Sequence, residues 1–181
     1  KPAPFSEGIR YEIDTPPADY WSNKLYMGVP SDDSERAWRN LIHPDRRHGV
    51  RLLREEASHL NINESILLPD NNFAVILTVH HNLHCLRRLR QNFFEEHYYP
   101  DWTDEDRKHN REHSLHCLES LRTSMICKPD LAPLPYYWSG NIWHDMNASP
   151  QSKRECVNWE FFSEYLKSRS YQKEELIRDY F

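Results

Sequence analysis

A six-residue pattern occurs twice in this chain and constrains the fold more than any other feature. His81-Asn82-Leu83-His84-Cys85-Leu86 is answered by His113-Ser114-Leu115-His116-Cys117-Leu118, so both copies read His-x-Leu-His-Cys-Leu. With 11 His and 4 Cys in 181 residues, chance supplies only about 0.014 matches to the His-x-x-His-Cys core. Residues three and four apart share one face of a helix, so each copy on a helix aims two imidazoles and a thiol the same way. Both copies lie in stretches that read as helices. The first runs from about His80 to Tyr98, with Leu86, Leu89 and Phe93 at helical spacing, and the second from Asp104 to Cys127. Tyr99-Pro100-Asp101-Trp102 breaks the chain between them. Thr103 suits an N-cap, Asp104, Glu105 and Asp106 suit the positive end of a helix, and Lys128-Pro129 stops it. His84 lies 16 residues before Pro100 and His113 lies 13 after it, so the helical arms have similar length. A short connection makes such helices antiparallel neighbours. The expected fold is therefore mainly α with short strands, built on an antiparallel helix pair that carries a four-histidine metal site.

Four neutral nitrogen ligands suit copper, zinc, iron or nickel. The ligand candidates are His81, His84, His113 and His116, with His109 on the same stripe as a further ligand or a supporting group. A carboxylate-bridged di-iron site would need Glu-x-x-His pairs and further Glu. A four-cysteine zinc finger would need Cys-x-x-Cys, which does not occur. A zinc hydrolase is a weaker reading, because neither motif contains a Glu to act as base and Glu112 points off the ligand face. Cys85, Cys117, Cys127 and Cys156 allow two disulfides in three connectivities, and Cys85 and Cys117 also suit copper as thiolates.

The rest of the chain divides into an extended arm over 1–31, a single metal-binding domain over 32–170 and a charged tail over 171–181. The arm holds Pro2, Pro4, Pro16, Pro17 and Pro30, yet the alternation of Ile9, Tyr11 and Ile13 allows a short strand. Asp32–Glu35 opens a helix carrying Trp38, Leu41 and Ile42, and a second short helix is expected over Val50–Leu60. Phe73–Val79 alternates like a buried strand. Residues 129–152 read as an ordered aromatic loop whose Tyr136, Tyr137, Trp138 and Trp143 are candidates to wall a substrate cleft. A last helix carries Trp159, Phe161, Phe162, Tyr165 and Leu166. A net charge of −5 argues against nucleic acid as a partner, and Arg87, Arg88 and Arg90 read as a solvated helix face. No stretch reaches the roughly 20 apolar residues that span a membrane. Glycosylation triplets at Asn63 and Asn147 and the even cysteine count lean toward a lumenal or extracellular domain. The chain opens at Lys1 without Met, so removal of an N-terminal segment is expected.

Several of these segments together resemble the UstYa-like family of fungal oxidative enzymes. Besides the doubled motif, the resemblance rests on Ile9-Arg10-Tyr11-Glu12, Tyr26-Met27-Gly28-Val29-Pro30-Ser31, Ala37-Trp38, Leu121-Arg122, Met125-Ile126-Cys127-Lys128-Pro129-Asp130 and Cys156-Val157-Asn158-Trp159. It implies a tailoring enzyme of secondary metabolism that uses one or two copper ions and dioxygen. Its substrate would be a peptide or small metabolite, modified by oxidative cyclisation, hydroxylation, dehydrogenation or halogenation. It also implies the lumen of the secretory pathway, an N-terminal membrane anchor in the full-length parent, and pairing as a homo- or heterodimer. One departure stands out: Arg154 replaces a histidine that relatives carry in a third motif, and Val157-Asn158 replaces their Arg-Asp. His144 is the candidate substitute. The other class of function is a non-catalytic, metal-stabilised partner subunit of such an enzyme, which the replacement at Arg154 would suit.

Overall fold

A computed structural model of the chain describes residues 4–17, 22–42, 49–58, 60, 62, 65–141 and 144–176. A 3₁₀ turn at Ser6–Gly8 leads into β1 (Tyr11–Asp14), where the Ile9, Tyr11, Ile13 alternation allowed a strand. It pairs antiparallel with β6 (Arg154–Val157), placing Tyr11 opposite Val157 and Asp14 opposite Arg154. The single turn α1 (Lys24–Met27) precedes α2 (Asp32–Ile42), whose first turn carries Asp32, Asp33 and Glu35 and whose inner face buries Ser34, Trp38 and Ile42.

A three-stranded antiparallel sheet, ordered β3-β2-β7, joins β3 (Phe73–Val75), β2 (Gly49–Leu52) and β7 (Ser170–Tyr171). Its inner side meets α7 (Trp159–Arg169), which Asn158 caps by accepting from the Phe161 amide at 2.8 Å. Phe5, Val50, Leu52, Ala57, Phe73, Phe162 and Leu166 form the buried cluster between them. The N-terminal turn packs into the same core. Gly8 lies so close to the Tyr165 ring that a Cβ there would collide with it.

The Val50–Leu60 stretch is not one helix. Val50 and Leu52 point into the core and pair with Val75 and Phe73, so the segment is strand β2 followed by the single turn α3 (Arg54–Ala57). The strand expected over Phe73–Val79 stops at Val75, because Thr78 already starts α4 (Thr78–Asn92). That helix ends before Phe93, and a separate turn, α5 (Glu95–Tyr98), follows. The helix α6 (Asp104–Cys127) matches its expected span. Its capping box is explicit: the Asp106 amide donates to Thr103 Oγ1 at 3.2 Å and the Thr103 amide to Asp106 Oδ2 at 2.9 Å. The aromatic stretch is a hairpin rather than a loop, with Tyr136, Tyr137 and Trp138 of β4 (Tyr136–Asn141) opposite Ala148, Asn147 and Met146 of β5 (His144–Ala148). The architecture is thus mixed, with helices predominating. No helix among the described residues is long and apolar enough to cross a membrane.

The apolar spacing on α4 does not mark its buried side. Leu86 is 46% and Phe93 84% exposed, whereas His80, Cys85 and Arg90 are buried. The reading of Arg87, Arg88 and Arg90 as a solvated face is overturned for the same reason: α4 meets its neighbours through polar groups. Arg90 donates from Nε to the Tyr26 carbonyl at 3.1 Å, from Nη1 to Tyr98 Oη at 2.7 Å, and from Nη2 to the Gly28 carbonyl at 3.0 Å and Ser34 Oγ at 3.3 Å. Glu35 sits 3.5 Å from Arg90, takes a bond from Arg87 at 2.6 Å, and accepts from the Tyr98 hydroxyl. Burial pushes the Glu35 carboxyl up, but Tyr98, Arg87 and Arg90 outweigh it and hold the group below its ordinary value. This clamp fastens α1 and α2 to the back of α4.

Candidate metal centre

The two motif copies meet across α4 and α6, which pack against each other. The chain reverses between them, so the first histidine of one copy faces the second of the other. The His81 and His116 ring centroids are 5.7 Å apart, and those of His84 and His113 are 6.3 Å apart. His113 and His116 stand 6.3 Å apart along α6. The four imidazoles therefore form a continuous row: His81, His116, His113, His84. They do not converge on one point. Among the described residues, no three His, Cys, Asp or Glu side chains gather in a geometry that holds a metal ion, so of the expected arrangement the helix pair is shown and the four-histidine site on it is not.

Each neighbouring pair in the row is nonetheless close enough to share an ion. An ion about 2.0–2.1 Å from a ring nitrogen lies roughly 3.2 Å from the centroid, so two imidazoles sharing it have centroids at most about 6.4 Å apart. All three separations in the row fall under that ceiling. Ser120 Oγ lies 3.2 Å from His81 Nδ1, so the ring's other nitrogen, Nε2, is the one turned toward the α4 side of the seam, where Cys85 Sγ is its neighbour. Burial, then the Arg88 guanidinium and the neighbouring His116, His109 and His81, lower the pKa of His113. That favours the neutral ring a metal requires.

Polar bonds hold the seam on both sides of the histidines. Asn82 donates to Ser124 Oγ at 2.7 Å and accepts from Ser120 Oγ at 3.0 Å. Asn92 donates to Ser114 Oγ at 2.8 Å, Asn110 donates to Asn92 Oδ1 at 2.9 Å, and Arg88 donates to Asn110 Oδ1 at 2.8 Å. The copies are offset by 113 − 81 = 32 positions. Adding 32 to Asn82, Asn92, Arg88 and Cys85 gives Ser114, Ser124, Ser120 and Cys117. Under that shift the Asn92–Ser114 bond becomes Ser124–Asn82, and the His81–His116 pair becomes His113–His84. The hairpin is thus a pseudo-two-fold unit with Cys85 and Cys117 at its centre. Its symmetry breaks where Ser120 beside His81 corresponds to Arg88 near His113.

Cys85 and Cys117 are both fully buried. Burial, the hydrogen bond with Cys117 and its charge push the Cys85 thiol up to about 12, so it is a poor thiolate in this setting. Cys85 Sγ is 3.9 Å from His81 Nε2. Cys127 is exposed at the end of α6 and Cys156 is half-buried on β6.

The remaining candidates lie farther out. His109 is exposed, one turn before His113 on α6. Arg154 donates from Nη1 to Asp130 Oδ2 at 2.8 Å. Tyr136, Tyr137 and Trp138 are 72%, 52% and 80% exposed on the hairpin. Asn147 is half-buried on β5. All of Trp143 and Asn63, and the side chain of His144, fall outside the described residues. The sequence gives no role to the seam residues Asn92, Asn110, Ser120 and Ser124, and places Arg88 on a solvated face. Their signal was present as a polar stripe, since Asn110, Ser114, Cys117 and Ser124 recur at helical spacing on α6.

The profile of the family described as mycotoxin biosynthesis protein UstYa matches residues 1–169. The chain belongs to the UstYa family. Among the curated relatives it matches, "Hydroxylase cctR" of Talaromyces islandicus is 23% identical over 151 residues, covering 83% of this chain and 55% of that protein. "UstYa family oxidase phomYd" of Diaporthe leptostromiformis is 29% identical over 153 residues, covering 80% of this chain and 46% of that protein. "Transacylase cctO" of Talaromyces islandicus is 28% identical over 147 residues, covering 72% and 47%. The chain spans about half the length of the curated relatives it matches. No solved structure gives a significant match.

Proposed function

We propose that this chain is the copper-binding domain of an oxidative tailoring enzyme of fungal mycotoxin biosynthesis. The observation that carries the reading is the row of four imidazoles on α4 and α6, in a family whose relatives are named oxidase and hydroxylase. His81, His84, His113 and His116 hold the metal. Copper bound there supplies one-electron redox chemistry with dioxygen.

The chain's own residues set up that chemistry. Ser120 orients His81 through Nδ1. Burial and the nearby Arg88 guanidinium lower the His113 pKa, which favours its neutral ring. His116 is exposed, so the row is open to solvent on the α6 side and a substrate can approach it there. The aromatic hairpin, with Tyr136, Tyr137 and Trp138, supplies apolar surface for a peptide or small metabolite. The reading extends to a lumenal setting in the secretory pathway, a membrane anchor in the full-length parent, and a homo- or heterodimer.

Metal analysis tests the proposal directly. After reconstitution with copper, the wild type retains it, and His84→Ala and His116→Ala retain much less. Wild type holding no copper above background overturns the reading. Oxygen consumption by the copper-loaded protein with a candidate peptide then separates an enzyme from a metal-stabilised partner subunit.

A further inference from the structure

Four cysteines allow three pairings, and the geometry of α6 removes two of them. Cys127 is the last residue of α6, and Cys117 lies ten positions earlier on the same helix. Such a helix separates them by about 15 Å, beyond the roughly 7 Å between Cα atoms that a disulfide can bridge. Cys85 and Cys117 are both fully buried where α4 packs on α6, between the His81–His116 and His84–His113 contacts, so Cys127 is remote from Cys85 as well. Both crossed pairings require Cys127 to bond one of these two. The surviving pairing joins Cys85 to Cys117 and Cys127 to Cys156. Cys156 is also placed for that role, because the ion pair between Asp130 and Arg154 draws the chain just after Cys127 toward β6.

We infer that Cys85 and Cys117 form a disulfide that staples α4 to α6 at the pseudo-two-fold centre of the doubled motif. Two S–H bonds break and one S–S bond forms. The two protons and two electrons pass to an oxidising protein disulfide, which leaves as a dithiol. Both sulfurs are fully buried in the closed helix pair, so the exchange takes place during folding, before α6 closes on α4. The bond withdraws both sulfurs from metal ligation. It also keeps the His81–His116 and His84–His113 pairs face to face in the absence of any ion. This inference stands on the helix geometry and does not rest on the copper reading.

The test is disulfide mapping of the whole chain, refolded in a mixture of reduced and oxidised glutathione, then denatured without reductant, alkylated and digested. The expected result is a cross-linked peptide containing Cys85 and Cys117, absent after reduction. Alkylated Cys85 and Cys117, or either one joined to Cys127 or Cys156, overturns the inference. In the Cys85→Ala/Cys117→Ala variant, copper bound per chain is expected to match the wild type. Loss of copper in that variant, together with alkylated thiols in the wild-type map, makes the sulfurs ligands and also overturns it. A cross-linked wild type that binds no copper leaves the disulfide standing and removes the proposed function instead. If the double variant does not fold, the wild-type map alone decides.

Discussion

Arg90 offers the sharpest test of the way this fold is held together. Its side chain is 9% exposed and bonds two backbone carbonyls, a serine hydroxyl and a tyrosine hydroxyl, with Glu35 beside it. Truncating it to alanine leaves a half-buried carboxylate with a weakened counter-charge and two carbonyls without donors. Removing one member of a buried charged pair costs about 3–5 kcal/mol. A domain of this size has a total stability of about 5–15 kcal/mol, so Arg90→Ala is expected to lose about a fifth of it or more. Arg90→Lys keeps the charge but not the planar fork, and is expected to cost about 1–2 kcal/mol through lost bonds. Urea unfolding followed by tryptophan fluorescence is the assay. Trp38 reports on the region because it packs edge-on to Tyr26, 5.3 Å between ring centroids. Arg122→Ala, which removes an exposed pair with Glu119, is the control and leaves the midpoint unchanged. An Arg90→Ala protein within about 0.5 kcal/mol of wild type refutes the claim that this clamp fastens α1 and α2 to α4.

Four further outcomes follow from the same structure. Glu35 has a folded pKa below its ordinary 4.5, so its contribution is complete above that pH and is lost as pH falls through the lower folded value. The stability difference between wild type and Glu35→Gln should therefore narrow in acid unfolding curves, and a constant difference contradicts the assignment. Ser120→Ala releases the His81 ring and removes a seam bond to Asn82, so a competition titration should show copper affinity about 10–100-fold weaker, with a stability loss of only about 1 kcal/mol in urea. Gly8→Ala drives a methyl into the Tyr165 ring and should destabilise by about 1–3 kcal/mol in urea. Trp138→Ser, at an 80% exposed position, should leave the unfolding midpoint where it was, and a large drop would show that the hairpin packs.

Features encoded by local chemistry were legible before any coordinates. The N-cap Thr103 and the acidic first turn announced α6, and Lys128-Pro129 announced its end. The doubled motif and the short break at Pro100 placed the two helices side by side, and the structure pairs them. Features decided by distant partners were not legible. Val50 and Leu52 pass for helix until Val75 and Phe73 arrive from more than 20 positions away to make a sheet. Leu86 and Phe93 suggested an inner face for α4, but the partner surface across the seam is polar and they remain outside. The site shows the same division. Four histidines could be named from spacing, whereas their arrangement in a row depends on which ring faces which across an antiparallel pair. The role of Ser120 becomes visible only once α6 lies against His81.

The polar character of the seam bears on how α6 finds its place. Its buried residues are Asn110, Ser114 and Cys117, with no leucine or isoleucine among them. An apolar seam tolerates a slide of one turn, because one methyl contact substitutes for another. Here such a slide would strand Asn82, Asn92 and Asn110 away from Ser124, Ser114 and each other, at about 1 kcal/mol for every bond lost and more for each amide left buried. The helix pair therefore behaves as a keyed joint that accepts one alignment. That alignment is the one in which every imidazole has another across from it.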